Sequence, residues 1–234
     1  MLARTRTGIS SWGLPLLAGL AATASGCGGS GPKTPSSSGR QATPPAYQAA
    51  RAPLPPRGGP PWPAPPNPLS RARAAGLVPE RREQLAYHVH AHLDVFLNGQ
   101  AVTVPAGIGI NVSDPGVHQS PGPGGTKEYG GISQCAKPCI SPLHTHDSTG
   151  ILHTESATVT PNRLGQFFTE WSVHLTPTCV GPFCAPTAPI AIFVDGARFQ
   201  GDPRQIGLAN HREIAIVIGS PPAQIPAAGD FSGA

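Results

Sequence analysis

Between Val89 and Leu97 apolar and polar residues alternate. Val89, Ala91, Leu93, Val95 and Leu97 point one way and His90, His92, Asp94 and Phe96 the other, which predicts a strand with one face in a core. Asn98-Gly99 follows, a strong two-residue hairpin signal, and QAVTVPAGIGI supplies the returning strand. The period changes in TPNRLGQFFTEW, where Leu164, Phe167, Phe168 and Trp171 recur at i, i+3, i+4 and i+7. This predicts a helix capped by Thr160, with Pro161 at its first position and the aromatic stripe in the core. HTHDSTGILHTESATVT reads as a turn and a strand, IAIFVDGARF as a hairpin turning on Asp195-Gly196, and REIAIVIG as a last strand. Residues 112–143 are rich in Gly, Pro and Ser and have no period, so they are predicted to form a long surface loop.

Strands outnumber the single helix. The order of hairpin, insertion, helix, strands and final strand predicts a small β-rich α+β domain, β-grasp-like, with one helix and a long loop insertion. FVDGARFQGDPRQIGLANHREIAIVIG resembles the last part of the ubiquitin-like sulfur carriers. Those carriers end in a free Gly-Gly, whereas this chain runs on to DFSGA, so the resemblance implies the topology and not the sulfur chemistry.

Composition divides the chain. Residues 1–27 place Arg4 and Arg6 ahead of a short apolar stretch that closes on ASGC, the layout of an export signal. ASGC resembles a bacterial lipobox, which implies a lipid anchor to the membrane at Cys27; plain secretion is the alternative. Residues 28–79 hold nearly half of the 30 prolines and are predicted to be a disordered linker, and residues 221–234 a disordered tail. The folded part is then 80–220. Residues 28–86 carry eight Lys/Arg against Glu80 and Glu83, a net of +6, while residues 87–234 carry six Lys/Arg and ten Asp/Glu, a net of −4. The basic pI thus belongs to the tether, and an exported chain with an acidic domain is a poor candidate for nucleic-acid binding. Nothing in the sequence specifies a protein partner.

All nine histidines fall in the domain. His88, His90 and His92 form one cluster, and LHTHDSTGILHTE holds His144, His146, Asp147, His153 and Glu155. Alternate strand residues share a face, so each His-x-His pair offers two imidazoles to one ion. Such a face is a poor choice for packing and a good one for copper or zinc. The expected ligands are His90, His92, His144 and His146, with His88 and His153 as alternates on the same faces. Asp94, Asp147 and Glu155 could be ligands or could orient an imidazole from behind, and Asp147 could equally close an Asx turn. His118, His174 and His211 stand alone and read as surface residues. Cys135 with Cys139, and Cys179 with Cys184, are spaced as two local disulfides in an oxidising compartment.

GLVPERREQLAYHVHAHLDVFLNGQAVTVPAGIGI, SPLHTHDSTGILHTES, LGQFFTEW and the closing FVDG with HREIAIVIG resemble a family of uncharacterised exported bacterial proteins. Its signature combines His-x-His-x-x-Leu, His-Thr-His-Asp and Leu-Gly-x-x-Phe, and the match spans most of residues 76–219. The resemblance implies that the three blocks belong to one domain. CAKPCISPLHTH is similar to the dinuclear copper loop of cytochrome oxidase subunit two, but that loop adds a methionine and the only one here is Met1. No serine nucleophile elbow or comparable catalytic pattern occurs, so the reading leans away from an enzyme. It favours a metal-binding module of the cell envelope, with a structural or protein-interaction domain, or a small metalloenzyme, as alternatives.

Overall fold

The computed structural model describes residues 60–231. The export signal and Cys27 lie outside the described residues, as does the linker up to residue 59. In chain order the elements are α1 (Pro68–Ala74), β1 (Tyr87–Leu97), β2 (Gln100–Ala101), β3 (His118–Pro121), β4 (Lys127–Gly130), β5 (Leu143–His144) and β6 (Ile151–Ser156). They continue with α2 (Leu164–Trp171), β7 (Cys179–Val180), β8 (Phe183–Cys184), β9 (Ile190–Val194), β10 (Ala197–Phe199) and β11 (Arg212–Ile218).

The main sheet has the order β10-β9-β11-β1-β6-β5, with β2 added to the end of β1. β1 and β11 run parallel at its centre, Leu93 opposite Ile214 and Val95 opposite Ile216, and every other pairing in it is antiparallel. First and last strands side by side, with α2 entering between β6 and β9, make the domain β-grasp-like. Both two-residue turns have the positive φ that a primed hairpin turn demands, at Asn98 and Gly99 and at Asp195 and Gly196.

Alternation along the strands sorts the residues as the sequence predicts. Ala91, Leu93, Val95, Leu152, Ile214, Ile216 and Ile218 join Leu164, Phe167, Phe168 and Trp171 of α2 in one buried cluster. The helix itself starts later than its sequence suggests, at Leu164 and not near Thr160. Residues 162–164 are held extended by backbone bonds to another segment, Leu164 N–H donating to Ile206 O and Leu208 N–H to Asn162 O. Gln166 Oε1 then accepts from the Arg163 N–H at the helix start.

Three expectations drawn from composition are corrected. Residues 60–79 are not an extended linker: α1 forms there and packs on α2, so the domain has two helices and not one. Trp62 sits edge-on to Trp171 at 5.7 Å, its carbonyl accepting from Trp171 Nε1, and the Arg71 guanidinium donates twice to the Thr169 carbonyl. A proline-rich segment with one tryptophan to bury thus docks without building a core of its own. Residues 112–143 are more than a loop, since β3 and β4 pair and Ile110, Ile132, Cys135, Cys139 and Ile140 form a second small core. Residues 221–231 are not free either. Gly229 lies so close to the sheet that a Cβ there would stand 2.5 Å from His92 Cβ, and Phe231 stacks on His211 at 4.6 Å. The returning strand of the first hairpin is shorter than predicted, two residues, because Val102 to Ile110 leave the sheet to pack their apolar side chains.

Glu170, on α2, is fully buried and neither carboxylate oxygen has a hydrogen-bond partner. Burial pushes this carboxyl well above the usual range, against the opposing pull of Ser141 and Arg71, which favours its neutral form. A raised folded pKa gives stability that is fully present below the unfolded value of about 4.5 and lost as pH rises through the folded one. Glu170→Gln is therefore expected to keep or raise stability at neutral pH and to flatten this dependence, read as the urea midpoint against pH. A loss above about 2 kcal/mol at pH 7 would show instead that an ionised Glu170 is held by Arg71.

Candidate metal centre

The face of the sheet opposite α2 carries the histidines. Antiparallel pairing of β1 with β6 sets His90 opposite His153 and His88 opposite Glu155, and pairing of β5 with β6 sets His144 opposite His153. His146, two residues beyond His144, lies beside it with ring centroids 4.7 Å apart and is tied by its backbone to Tyr129, and Asp147 Oδ1 accepts from the Thr149 N–H in the turn that follows. Five imidazoles and one carboxylate thus converge.

Within this group, the ligand atoms of His144, His146, His153 and Glu155 all lie within 4.8 Å of one another. His144 Nδ1 donates to the Ser141 carbonyl and His146 Nδ1 to the Tyr129 carbonyl. A carbonyl only accepts, so both Nδ1 atoms carry a proton, and the two Nε2 atoms face each other 3.2 Å apart. Glu155 Oε1 stands 3.7 Å from His144 Nε2, 3.8 Å from His146 Nε2 and 3.6 Å from His153 Nδ1. These separations are too long for hydrogen bonds. They suit a cation: a tetrahedral ion with arms of about 2.0–2.1 Å needs ligand atoms roughly 3.3–3.4 Å apart. His153 Nδ1 and Glu155 Oε2 are buried with no hydrogen-bond partner, each costing about 1–3 kcal/mol as it stands.

The electrostatics agree with the geometry. Burial holds His144 well below the usual histidine range, with help from His146, and burial likewise lowers His153. His90 is brought down to about 4, by burial first and then by His153 and His88. His146 goes the other way: burial opposes its charge, but Glu155, the Tyr129 carbonyl and Glu83 outweigh it. Glu155 is held well below the usual carboxylate range, burial being overcome by His146, His153 and His144. The cluster is therefore a carboxylate among imidazoles of which His90, His144 and His153 are pushed toward the neutral form that a metal ion requires.

A second set, His88, His90 and His153, also has its ligand atoms within 4.8 Å of one another. His88 Nε2 is 2.7 Å from His90 Nε2 and 3.2 Å from Glu155 Oε1, and its side chain is 36% exposed. This set forms the rim of the cluster.

His92 does not join either set, contrary to the expectation from alternation. Its Nδ1 meets Glu213 Oε2 at 2.8 Å and its Nε2 donates to the Thr149 carbonyl at 2.9 Å. Burial works against its charge, yet Glu213 and Asp94 raise it, which favours a ring that donates to both the carboxylate and the Thr149 carbonyl. His92, Asp94 and Glu213 are a third, separate group within ligand distance of one another, and in it His92 pairs with Glu213 at 2.8 Å and with Asp94 at 3.8 Å. Asp94 belongs to that group and Asp147 to its turn, so of the three expected acidic residues only Glu155 reaches the cluster.

Both cysteine pairs are disulfides, Cys135–Cys139 and Cys179–Cys184, so neither offers thiolates to copper. The first lies in the small core of the insertion, next to the segment that brings the Tyr129 carbonyl to His146. The two backbone carbonyls that orient His144 and His146 have no sequence signal. Glu213 had one, a lone acid inside the apolar run REIAIVIG, which marks a buried charge in need of a partner.

Fold and site together define an α+β domain, β-grasp-like, with histidine–carboxylate groups that could hold a metal ion. Compared with protein-family models, curated proteins and solved structures, the chain finds no match in any of the three.

Proposed function

We propose that this domain is a metal-binding module that holds zinc or copper at His144, His146, His153 and Glu155. One observation carries the reading: a buried and a half-buried imidazole, each fixed through Nδ1 to a carbonyl, turn their Nε2 atoms toward each other and toward a carboxylate. Three imidazole nitrogens and a carboxylate oxygen suit Zn(II) or Cu(II), and the carbonyls that fix the rings are the outer partners such ligands use. Four protein donors fill a tetrahedral ion, whereas a hydrolytic ion keeps one position for water. Binding, not turnover, is accordingly the role of this ion.

The same proposal places the protein outside the cytoplasm, tethered to the membrane by lipid on Cys27. The two disulfides support an oxidising compartment, and no helix among the described residues is long and apolar enough to cross a membrane. The acidic domain makes nucleic acid an unsuitable partner.

The test is elemental analysis of the chain, purified without a His-tag from an oxidising compartment, beside a His144→Ala/His146→Ala variant. The wild type is expected to retain at least one zinc or copper per chain after dialysis, and the variant at least one fewer. A wild type without metal, whose melting is unmoved by either ion, would overturn the reading.

A further inference from the structure

The buried ligands use only part of the cluster. His88 and His90 remain, beside His153 and on the solvent side of it. Six donor residues exceed what one tetrahedral ion takes, and they do not all lie within ligand distance of one another. They divide into two sets that share His153, and Glu155 Oε1 reaches from the buried set to within 3.2 Å of His88 Nε2 in the other.

We infer that the cluster is a two-ion centre: a buried ion held by His144, His146, His153 and Glu155, and a rim ion held by His88, His90 and His153, with the His153 imidazole as the bridge. An imidazole carries nitrogens on opposite edges of its ring, one for each ion. Coordination at both breaks the remaining ring N–H bond, and its proton passes to solvent; no oxidation or reduction is involved. The rim ion differs from the buried one in two respects. It has three protein donors, and His88 faces water, so a fourth position stays open to a small exchangeable ligand such as water or an anion. The inference rests on the proposed metal-binding reading, since without the buried ion there is no pair to bridge.

Cu(II) alone is the probe, titrated into the full chain and into a His88→Ala/His90→Ala variant, with bound copper counted by elemental analysis and by electron paramagnetic resonance. His88 is exposed and His90 half-buried, so both side chains can be removed without opening the core; His88→Gln/His90→Gln serves if the alanine variant does not fold. The wild type is expected to bind two Cu(II), with a resonance that integrates to clearly less than the copper present because ions sharing an imidazole couple magnetically. The variant is expected to bind one, with full intensity. Azide should change the wild-type spectrum and leave the variant's alone. One Cu(II) in both proteins overturns the pair and leaves the buried site standing, and none in either overturns both. Two uncoupled ions in the wild type, or loss of both from a variant that melts normally, overturns the bridge.

Discussion

At about pH 7.5, Zn(II) or Cu(II) at 100 to 1,000 times its Kd is expected to raise the melting temperature by about 5–15 °C. Binding to the native state alone stabilises by about 2.7–4.1 kcal/mol at those ratios, and a domain of this size moves roughly 2–4 °C per kcal/mol. The pH dependence is more discriminating than the shift. Ordinary histidines would all compete for protons below about pH 6.5. Here burial lowers His144 and His153, and brings His90 down to about 4, so protons compete less with a metal for them. His146, held up by Glu155, must lose one before its Nε2 can coordinate. Affinity for the buried ion is thus expected to fall about tenfold per pH unit from neutrality to pH 5, the slope of one proton, and more steeply only near the depressed values. Without metal, the lowered histidines give stability that declines as pH falls below about 6.5, and Glu155 adds a loss in the same direction once pH falls below its unfolded range. His146 contributes with the opposite sign, its share being lost as pH rises through its folded pKa. Titration calorimetry at several pH values reads the slope. A fall of a hundredfold or more per unit between pH 7 and 5 would mean that the imidazoles titrate as exposed ones do. No thermal shift with either ion at neutral pH would remove the metal altogether.

How far the sequence could reach is clear from these same residues. Period two along β1 separated the core side chains from the histidines correctly, because a strand with one buried face has no other way to fold. The two primed turns and the aromatic stripe of α2 were legible for the same local reason. What was not legible is register. Alternation places His88, His90 and His92 on one face with equal right, and only the offset between β1 and β6 decides that His90 meets His153 while His92 falls opposite Ile151. That offset depends on the insertion between the two strands, which had no period to read. Composition misled in a different way. Proline-rich residues 60–79 lack a core, but Trp62 and Arg71 borrow one from α2. Likewise, in the tail expected to be disordered, Gly229 is what allows the chain to lie against His92.

His92→Ala is expected to cost about 3–5 kcal/mol, the largest single-residue effect foreseen outside the core, while leaving the metal content unchanged. The cost arises because Glu213 has a side chain with no exposure and Oε1 already lacks a partner, so removing the imidazole leaves a buried charge or forces a proton onto it. Burial pushes the Glu213 carboxyl up even with His92 beside it, so the pair is costly to hold as ions and costlier to break. Replacing both partners, His92→Leu with Glu213→Leu, is accordingly expected to recover most of the loss, because an apolar pair leaves nothing unsatisfied. Removing the tail from residue 221 should weaken the pair too, since residues 229–231 shield it from water. Chemical denaturation of the single and double variants, with metal counted in each, distinguishes the two roles this histidine could have. If His92→Ala melts like the wild type but loses its metal, alternation was the better guide and His92 is a ligand. If it melts much lower and keeps the metal, the same strand carries two different uses of histidine: His92, which fastens β1 to β11 through Glu213, and His90, two residues away, which faces the cluster opposite His153.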